Sequence, residues 1–196
     1  MEKVTGLLRE SGAMLEGHFL LSSGKHSDRY FQCAKLLQYP DKSKAALEEV
    51  VNKIRDDIKS GKLKVDIAAG PAMGGIIAAW EVARQLGLAA VFTERDENGI
   101  MTLRRGFELG SGQNVLIVED VVTTGKSSLE CAAALQAAGA KIAALACLVD
   151  RRAESAQDIP WPFYPAAKIA ANNWDAPQCD LCRQGIPAVK PGSRKM

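Results

Sequence analysis

Four short apolar runs punctuate the middle of the chain, and the stretches between them carry the spacing of half-buried helices. The runs are Val65 to Ala69, Ala89 to Thr93, Val115 to Val118 and Ile142 to Val149. Before and between them, Asp41 to Ser60 places Leu47, Val50, Val51, Ile54 and Ile58 along one face, and Ile76 to Leu86 and Ser127 to Ala138 read as further helices. Strands that are apolar throughout need cover on both faces, and helices alternating with them supply it. The rhythm predicts an α/β domain, a doubly wound parallel sheet with helices on both faces. At 196 residues a single domain is expected, 1–196, with its core at about 41–157. Residues 1–40 and 158–196 break the rhythm. Met14 to Ala34 reads as hairpin-like, and six of the eight prolines fall from Pro160 onward, so the two ends are expected to form a small cap over the sheet.

Several classes of function are excluded early. Lys plus Arg number 25 against 23 Asp plus Glu, a net charge of +2 that gives no footprint for nucleic acid. The longest uncharged stretch, Ile67 to Trp80, is interrupted by three Gly and a Pro, whereas a spanning helix needs about 20 apolar residues. The first residues mix charges and lead into no signal-like apolar segment. Five cysteines are an odd number for a disulfide scaffold. No membrane partner and a reducing, cytoplasmic location are expected.

In doubly wound sheets ligands bind beyond the carboxyl ends of the strands, so the turns after the runs are where chemistry is sought. Val115 to Val118 leads straight into Glu119 and Asp120, two adjacent carboxylates that repel and need hydroxyls, a cation or solvent. Thr123-Thr-Gly-Lys-Ser-Ser128 follows, with hydroxyls and a Gly-freed backbone at the entrance to a helix, a setting that binds phosphate. A P-loop is ruled out because the Gly it needs five positions before Gly125 is Asp120. A dinucleotide fingerprint fails on the spacing of Gly70, Gly74 and Gly75. The bland alternative is an acidic strand end followed by an ordinary helix cap.

Glu119-Asp-Val-Val-Thr-Thr-Gly-Lys-Ser127 resembles the phosphoribosyl-diphosphate motif of type I phosphoribosyltransferases. Leu21-Ser-Ser-Gly-Lys-His-Ser-Asp28 with Tyr30 and Phe31, Met101-Thr-Leu-Arg-Arg-Gly-Phe107, Leu148-Val-Asp-Arg151 and Val189-Lys-Pro-Gly-Ser-Arg194 are similar to the orotate branch of that family. The resemblance implies transfer of phosphoribosyl from 5-phosphoribosyl 1-diphosphate to orotate, with Mg2+ carried by the substrate and no protein metal cage. It implies that Glu119 and Asp120 meet the ribose hydroxyls, with Asp120 also counted as catalytic. Val121, Val122, Thr123, Thr124, Gly125, Lys126 and Ser127 form the loop around the 5-phosphate. Pro71, Ala72, Met73, Gly74 and Gly75 match the turn that holds pyrophosphate.

By the same resemblance Thr123, Arg151 and Lys25 contact orotate, Tyr30 and Phe31 stack on it, and backbone from Ser22 to Lys25 lies at its carboxylate. The polar stretch 94–110 is expected as a loop shared across subunits of a homodimer, with Arg95 on the diphosphate substrate and Arg104 and Arg105 as catalytic cations. That loop departs from the best-known bacterial pattern, which carries lysines and a histidine. Two other readings keep the fold: a different acceptor base, disfavoured by the cation Arg151, and a ligand-sensing regulator, disfavoured by the lack of a basic or helix-turn-helix segment.

Cys179-Asp-Leu-Cys182 has metal-ligand spacing, but a zinc site needs four ligands and no second pair follows it. His18 and His26 are too remote in sequence to assign. The cysteine pair is therefore read as structural, unless two subunits pool theirs. His26, inside the orotate-like stretch, stays unassigned.

Overall fold

The computed structural model describes residues 2–21, 23–153 and 158–191. Its centre is a six-stranded sheet of β3 (Ile67–Pro71), β4 (Ala89–Arg95), β5 (Met101–Leu103), β6 (Asn114–Val122), β7 (Lys141–Asp150) and β8 (Phe163–Lys168), in the order β5-β4-β3-β6-β7-β8. All neighbours are parallel except β4 and β5. Every residue of β3 is buried, as are Val115 to Glu119 of β6. That continuous apolarity is what two covered faces require. It confirms the α/β class.

One face is covered by α1 (Glu2–Glu10), α2 (Ala34–Leu37), α3 (Pro40–Lys59) and α4 (Gly74–Leu86), the other by α5 (Lys126–Ala137). Pro40 opens α3, where a missing N–H costs nothing, and Ala46, Leu47, Val50, Val51 and Ile54 form its buried stripe. Each leucine, valine or isoleucine of the stripe contributes about 1.5–3 kcal/mol by leaving water. Leu116, Val118, Ala144, Ala146 and Leu148 meet the α3 and α4 side, while Val115, Ile117, Leu145 and Cys147 meet α5. The period-2 pleat thus splits the central strands between two cores.

The cap is a second sheet, β1 (Met14–Leu20), β2 (His26–Phe31) and β9 (Asn173–Trp174), followed by a 3-10 turn at Ala176–Gln178 and α6 (Asp180–Arg183). The expected hairpin is therefore present. Three expectations change. Residues 163–168, assigned to the cap, are an edge strand of the main sheet, because Phe163 to Ala167 pair in register with Leu145 to Val149. Residues 2–10 are a helix whose Val4 and Leu8 sink into the α3-side core. The stretch 94–110 is in part a hairpin. Asp96 accepts hydrogen bonds from Asn98 and Ile100 amides, each 2.9 Å, turning the chain so that Met101–Leu103 pairs back on Thr93–Arg95.

Candidate active site

β6 runs past Val118 and carries the acidic pair within the strand. The pleat sends Glu119 toward Ser128 on the α5 side and Asp120 toward Gly74 on the α4 side. Glu119 is only 6% exposed. Burial first, and the neighbouring Asp120 charge second, push its carboxyl up to about 8, which the Ser128 hydroxyl, outside good hydrogen-bond geometry, offsets only in part. Glu119 is therefore largely protonated at neutral pH. Burial also raises Asp120, whose Oδ1 accepts a hydrogen bond from the Val121 amide at 2.9 Å.

Beside this strand end, β3 delivers the turn 71–75. A Cβ on Gly74 would lie 2.5 Å from Asp120 Oδ1, and one on Gly70 would lie 2.6 Å from the Gly75 carbonyl carbon. The turn can lean on Asp120 only because these positions carry no side chain. The Ala72 amide donates to the Thr93 carbonyl at 2.7 Å, and the Ala72–Met73 peptide is cis.

On the other side of β6 the chain forms a small bowl of about 50 Å3, lined by Glu119 and by residues 121–128. Gly125, at φ 78, caps α5 in the left-handed region, and the Lys126 amide meets Thr124 Oγ1 at 3.3 Å. Unpaired amides at a helix start, two threonine hydroxyls and the positive dipole end suit a phosphate.

Thr123 and Thr124 also line a larger cleft of about 640 Å3, together with Lys25, Arg151 and Asn173. Bowl and cleft thus share a wall. Arg151 leaves β7 with its amide bonded to the Val122 carbonyl at 2.8 Å. Its guanidinium stands 5.1 Å over the Phe31 ring and donates to Ser27 Oγ and Asn173 Oδ1, both at a long 3.4 Å. Its Nε is buried without a partner, and burial lowers its pKa. Among the described residues no carboxylate stands within ion-pair distance of it. Arg152 differs, because it grips buried Asp150 with two bonds of 3.0 and 3.2 Å. Arg151 is a half-buried cation that feels the Asp28 charge from a distance but holds no carboxylate in an ion pair.

A family model described as the phosphoribosyl transferase domain matches residues 37–174. An orotate phosphoribosyltransferase from Caldanaerobacter subterraneus subsp. tengcongensis is 45% identical over 195 residues, covering 100% of this chain and 98% of the relative. The chain belongs to the orotate phosphoribosyltransferase family. The fold agrees: the structure of orotate phosphoribosyltransferase from Aeropyrum pernix superposes with a TM-score of 0.70 at 23% identity, covering 85% of this chain and 93% of that one. An adenine phosphoribosyltransferase structure gives 0.65 at 14% identity, covering 84% and 99%.

Against this family frame, most residues expected at the site converge and some do not. Glu119, Asp120, the bowl residues 121–127 and the turn 71–75 come together, as do Lys25, Thr123 and Arg151 around the cleft. Tyr30 does not. Neighbours on a strand point to opposite faces, so Phe31 backs Arg151 while Tyr30 packs toward Phe19 and donates its hydroxyl to Gln32 Oε1 at 3.0 Å. Arg95 is tied to Glu130 and to the Gly99 carbonyl, beside a separate cleft against α5.

Arg105 pairs with Glu94 through bonds of 2.7 and 2.9 Å, and Arg104 lies 3.8 Å from the same carboxylate. Leu103 opposes Thr93, which opposes Pro71, so the two arginines follow a backbone two strands, roughly 10 Å, from the turn. Ser22 and residues 192–196 lie outside the described residues. Sequence reasoning missed Ser27, Asn172 and Asn173. Asp28 holds Asn172 by two bonds of 2.9 and 2.8 Å, setting Asn173 beside Arg151. It also missed a convergence in the cap: His18, His26, Cys179 and Cys182 meet within one chain.

Proposed function

We propose that the chain transfers phosphoribosyl from 5-phosphoribosyl 1-diphosphate to orotate, releasing pyrophosphate and orotidine 5'-monophosphate. The observation that carries this reading is the shared wall of Thr123 and Thr124, with a phosphate-sized bowl on one side and unpaired Arg151 on the other. An acceptor that is planar and anionic gives Arg151 the paired carboxylate it lacks, whereas a neutral base leaves a half-buried cation without one.

The bowl amides and hydroxyls hold the 5-phosphate, and Glu119 with Asp120 takes the ribose hydroxyls. A protonated Glu119 can donate as well as accept, which suits a diol. Departure of pyrophosphate builds positive charge at the anomeric carbon and negative charge on the leaving group. The Asp120 carboxylate offsets the first through the ribose it holds, and the turn amides, with Arg104 and Arg105 released from Glu94, meet the second. Two carboxylates fall well short of the octahedral oxygen shell of Mg2+, so Glu119 and Asp120 make no protein cage for it, and the ion would be held here through the diphosphate substrate. When bound it neutralises charge on the diphosphate oxygens.

Met73, Ile77 and Trp80 are 82%, 45% and 57% exposed and follow one another at i, i+4 and i+7 from the turn along α4. Large apolar side chains in a row on a surface mark an interface, and a second copy of the chain is the occupant that fits the homodimer reading. No helix among the described residues is long and apolar enough to cross a membrane.

The test is loss of orotate ultraviolet absorbance with 5-phosphoribosyl 1-diphosphate and Mg2+, with uracil, hypoxanthine and adenine as rival acceptors. Turnover confined to orotate is expected. Turnover with a neutral base alone would overturn the assignment of Arg151.

A further inference from the structure

The cap contains a cluster that phosphoribosyl transfer does not use. His18 sits on β1, His26 opens β2, and Cys179 and Cys182 bracket the first turn of α6. One ligand atom from each of the four lies within 4.8 Å of all the others. His18 Nε2 is 2.7 Å from His26 Nδ1, 3.4 Å from Cys179 Sγ and 3.8 Å from Cys182 Sγ, and Cys182 Sγ is 3.4 Å from His26 Nδ1. A tetrahedral zinc with two sulfur and two nitrogen ligands requires edges of about 3.3–3.8 Å, from bonds of about 2.3 and 2.0–2.1 Å. Three of the four sulfur–nitrogen separations lie close to those edges, the remaining pairs are within 4.8 Å, and the two nitrogens need to part by about 0.6 Å.

The surroundings are those of a ligand set. The Ile186 carbonyl accepts a hydrogen bond from His18 Nδ1 at 2.7 Å, which leaves the Nε2 lone pair aimed at the other three atoms. His18, His26 and Cys179 are buried, while Cys182 is exposed and gives an entry path. Neither cysteine is in a disulfide.

We propose that His18, His26, Cys179 and Cys182 bind one structural Zn2+ in each chain. Two thiolates and two imidazoles in a tetrahedral arrangement select zinc over the oxygen-seeking cations. Both thiols release their protons to solvent on binding, so the filled site is neutral and can stay buried. Four protein ligands close the coordination shell, which marks the ion as a staple and leaves no position for substrate. Such a staple suits a cap this small. Its three strands include a two-residue β9, and its far end is held by a bridge between Phe19 and Val189. The metal would join β1, β2 and the segment 179–189 at one point.

The staple also bears on the cleft. His26 precedes Ser27 and pairs with Trp174, which follows Asn173, and Ser27 and Asn173 are the residues to which the Arg151 guanidinium donates. These metal ligands are positioning residues for that wall.

The test needs no activity to be read. Wild-type protein exposed to excess Zn2+ and passed through gel filtration should retain about one zinc per chain by elemental analysis. The same protein loaded with Co2+ should show the intense visible bands of a tetrahedral thiolate site. Cys182→Ser, at the exposed ligand, should lose both signals. If that variant fails to fold, the wild-type Co2+ spectrum still decides. A folded wild type that retains no zinc and gives only the pale octahedral Co2+ spectrum overturns the proposal, as does zinc retained at full stoichiometry by Cys179→Ser with Cys182→Ser. Stripping the metal should then raise the orotate KM more than the 5-phosphoribosyl 1-diphosphate KM, a split that a general loss of folding would not produce.

Discussion

Replacing Arg151 by methionine should separate stability from substrate recognition. The guanidinium contributes two long hydrogen bonds, to Ser27 and Asn173, at about 0.5 kcal/mol each. Its position over Phe31 adds about 0.5–1 kcal/mol. Against these stands the cost of keeping a cation half-buried with an unpartnered Nε, visible in the lowered pKa. Methionine retains the apolar stem and removes the charge. The opposing effects nearly cancel, so Arg151→Met should change stability by no more than about 1 kcal/mol, or roughly 2–4 °C in melting temperature for a chain of this size. Binding behaves differently. A charge-assisted hydrogen bond to a carboxylate is worth about 1.5–3 kcal/mol, so the orotate KM should rise roughly 10- to 140-fold. The KM for 5-phosphoribosyl 1-diphosphate should hardly move. Thermal melting and initial rates at varied orotate and diphosphate substrate test this directly. A large fall in melting temperature with an unchanged orotate KM would refute the reasoning and make Arg151 a structural cation.

Three other perturbations probe the rest of the site. Gly74→Ala should push Asp120 off the Val121 amide, costing about 1–3 kcal/mol in stability and raising the 5-phosphoribosyl 1-diphosphate KM about tenfold; an unaltered KM would detach Asp120 from the ribose. Glu119 titrates near 8 in the folded chain against 4.5 for a free glutamate, so the native state holds a proton that the unfolded state has lost. Stability should therefore be greatest at the acid end of this window and fall, by a few kcal/mol in order of magnitude, as pH rises from about 4.5 to about 8. Glu119→Gln should flatten that slope in denaturant titrations at several pH values, and an unchanged slope would place its source elsewhere. Trp80→Glu should halve the mass seen by sedimentation if the α4 stripe is the dimer contact, and leave it unchanged if it is not.

The parts of the molecule legible in the sequence were those governed by local pattern. The βα rhythm located β3, β6, β7 and their helices because buried strands are apolar throughout and helices repeat every 3.6 residues. The acidic pair and Thr-Gly-Lys-Ser loop were legible because charge and glycine seldom adjoin an apolar strand without a use. What escaped depends on chain segments meeting from afar. β8 reads as a proline-rich tail until it finds the edge of β7, since Pro165 is tolerable on an edge strand. The Asp96-Glu-Asn-Gly99 turn was a usable signal for the β4–β5 hairpin, masked by the surrounding charge. Tyr30 and Phe31 cannot both face one cleft, because neighbours on a strand point to opposite faces, and the hairpin-like reading of Met14 to Ala34 already carried that consequence. The four ligands of the cap were the hardest case, because 161 residues separate His18 from Cys179.

The cap's long-range closure also sets an order of events during synthesis. One of its hydrogen bonds joins His18 to Ile186, 168 residues apart, and the wall beside Arg151 needs Asn172 and Asn173. Residues 34–150, by contrast, supply β3 to β7, the turn and the bowl by themselves. A ribosome-bound chain can therefore assemble its phosphate-handling half early, while the acceptor side waits until residues 172–189 have emerged. The two substrate sides of the proposed site thus differ in kind: the phosphate side is closed by contacts within one continuous stretch, whereas the acceptor side exists only where two remote segments have met.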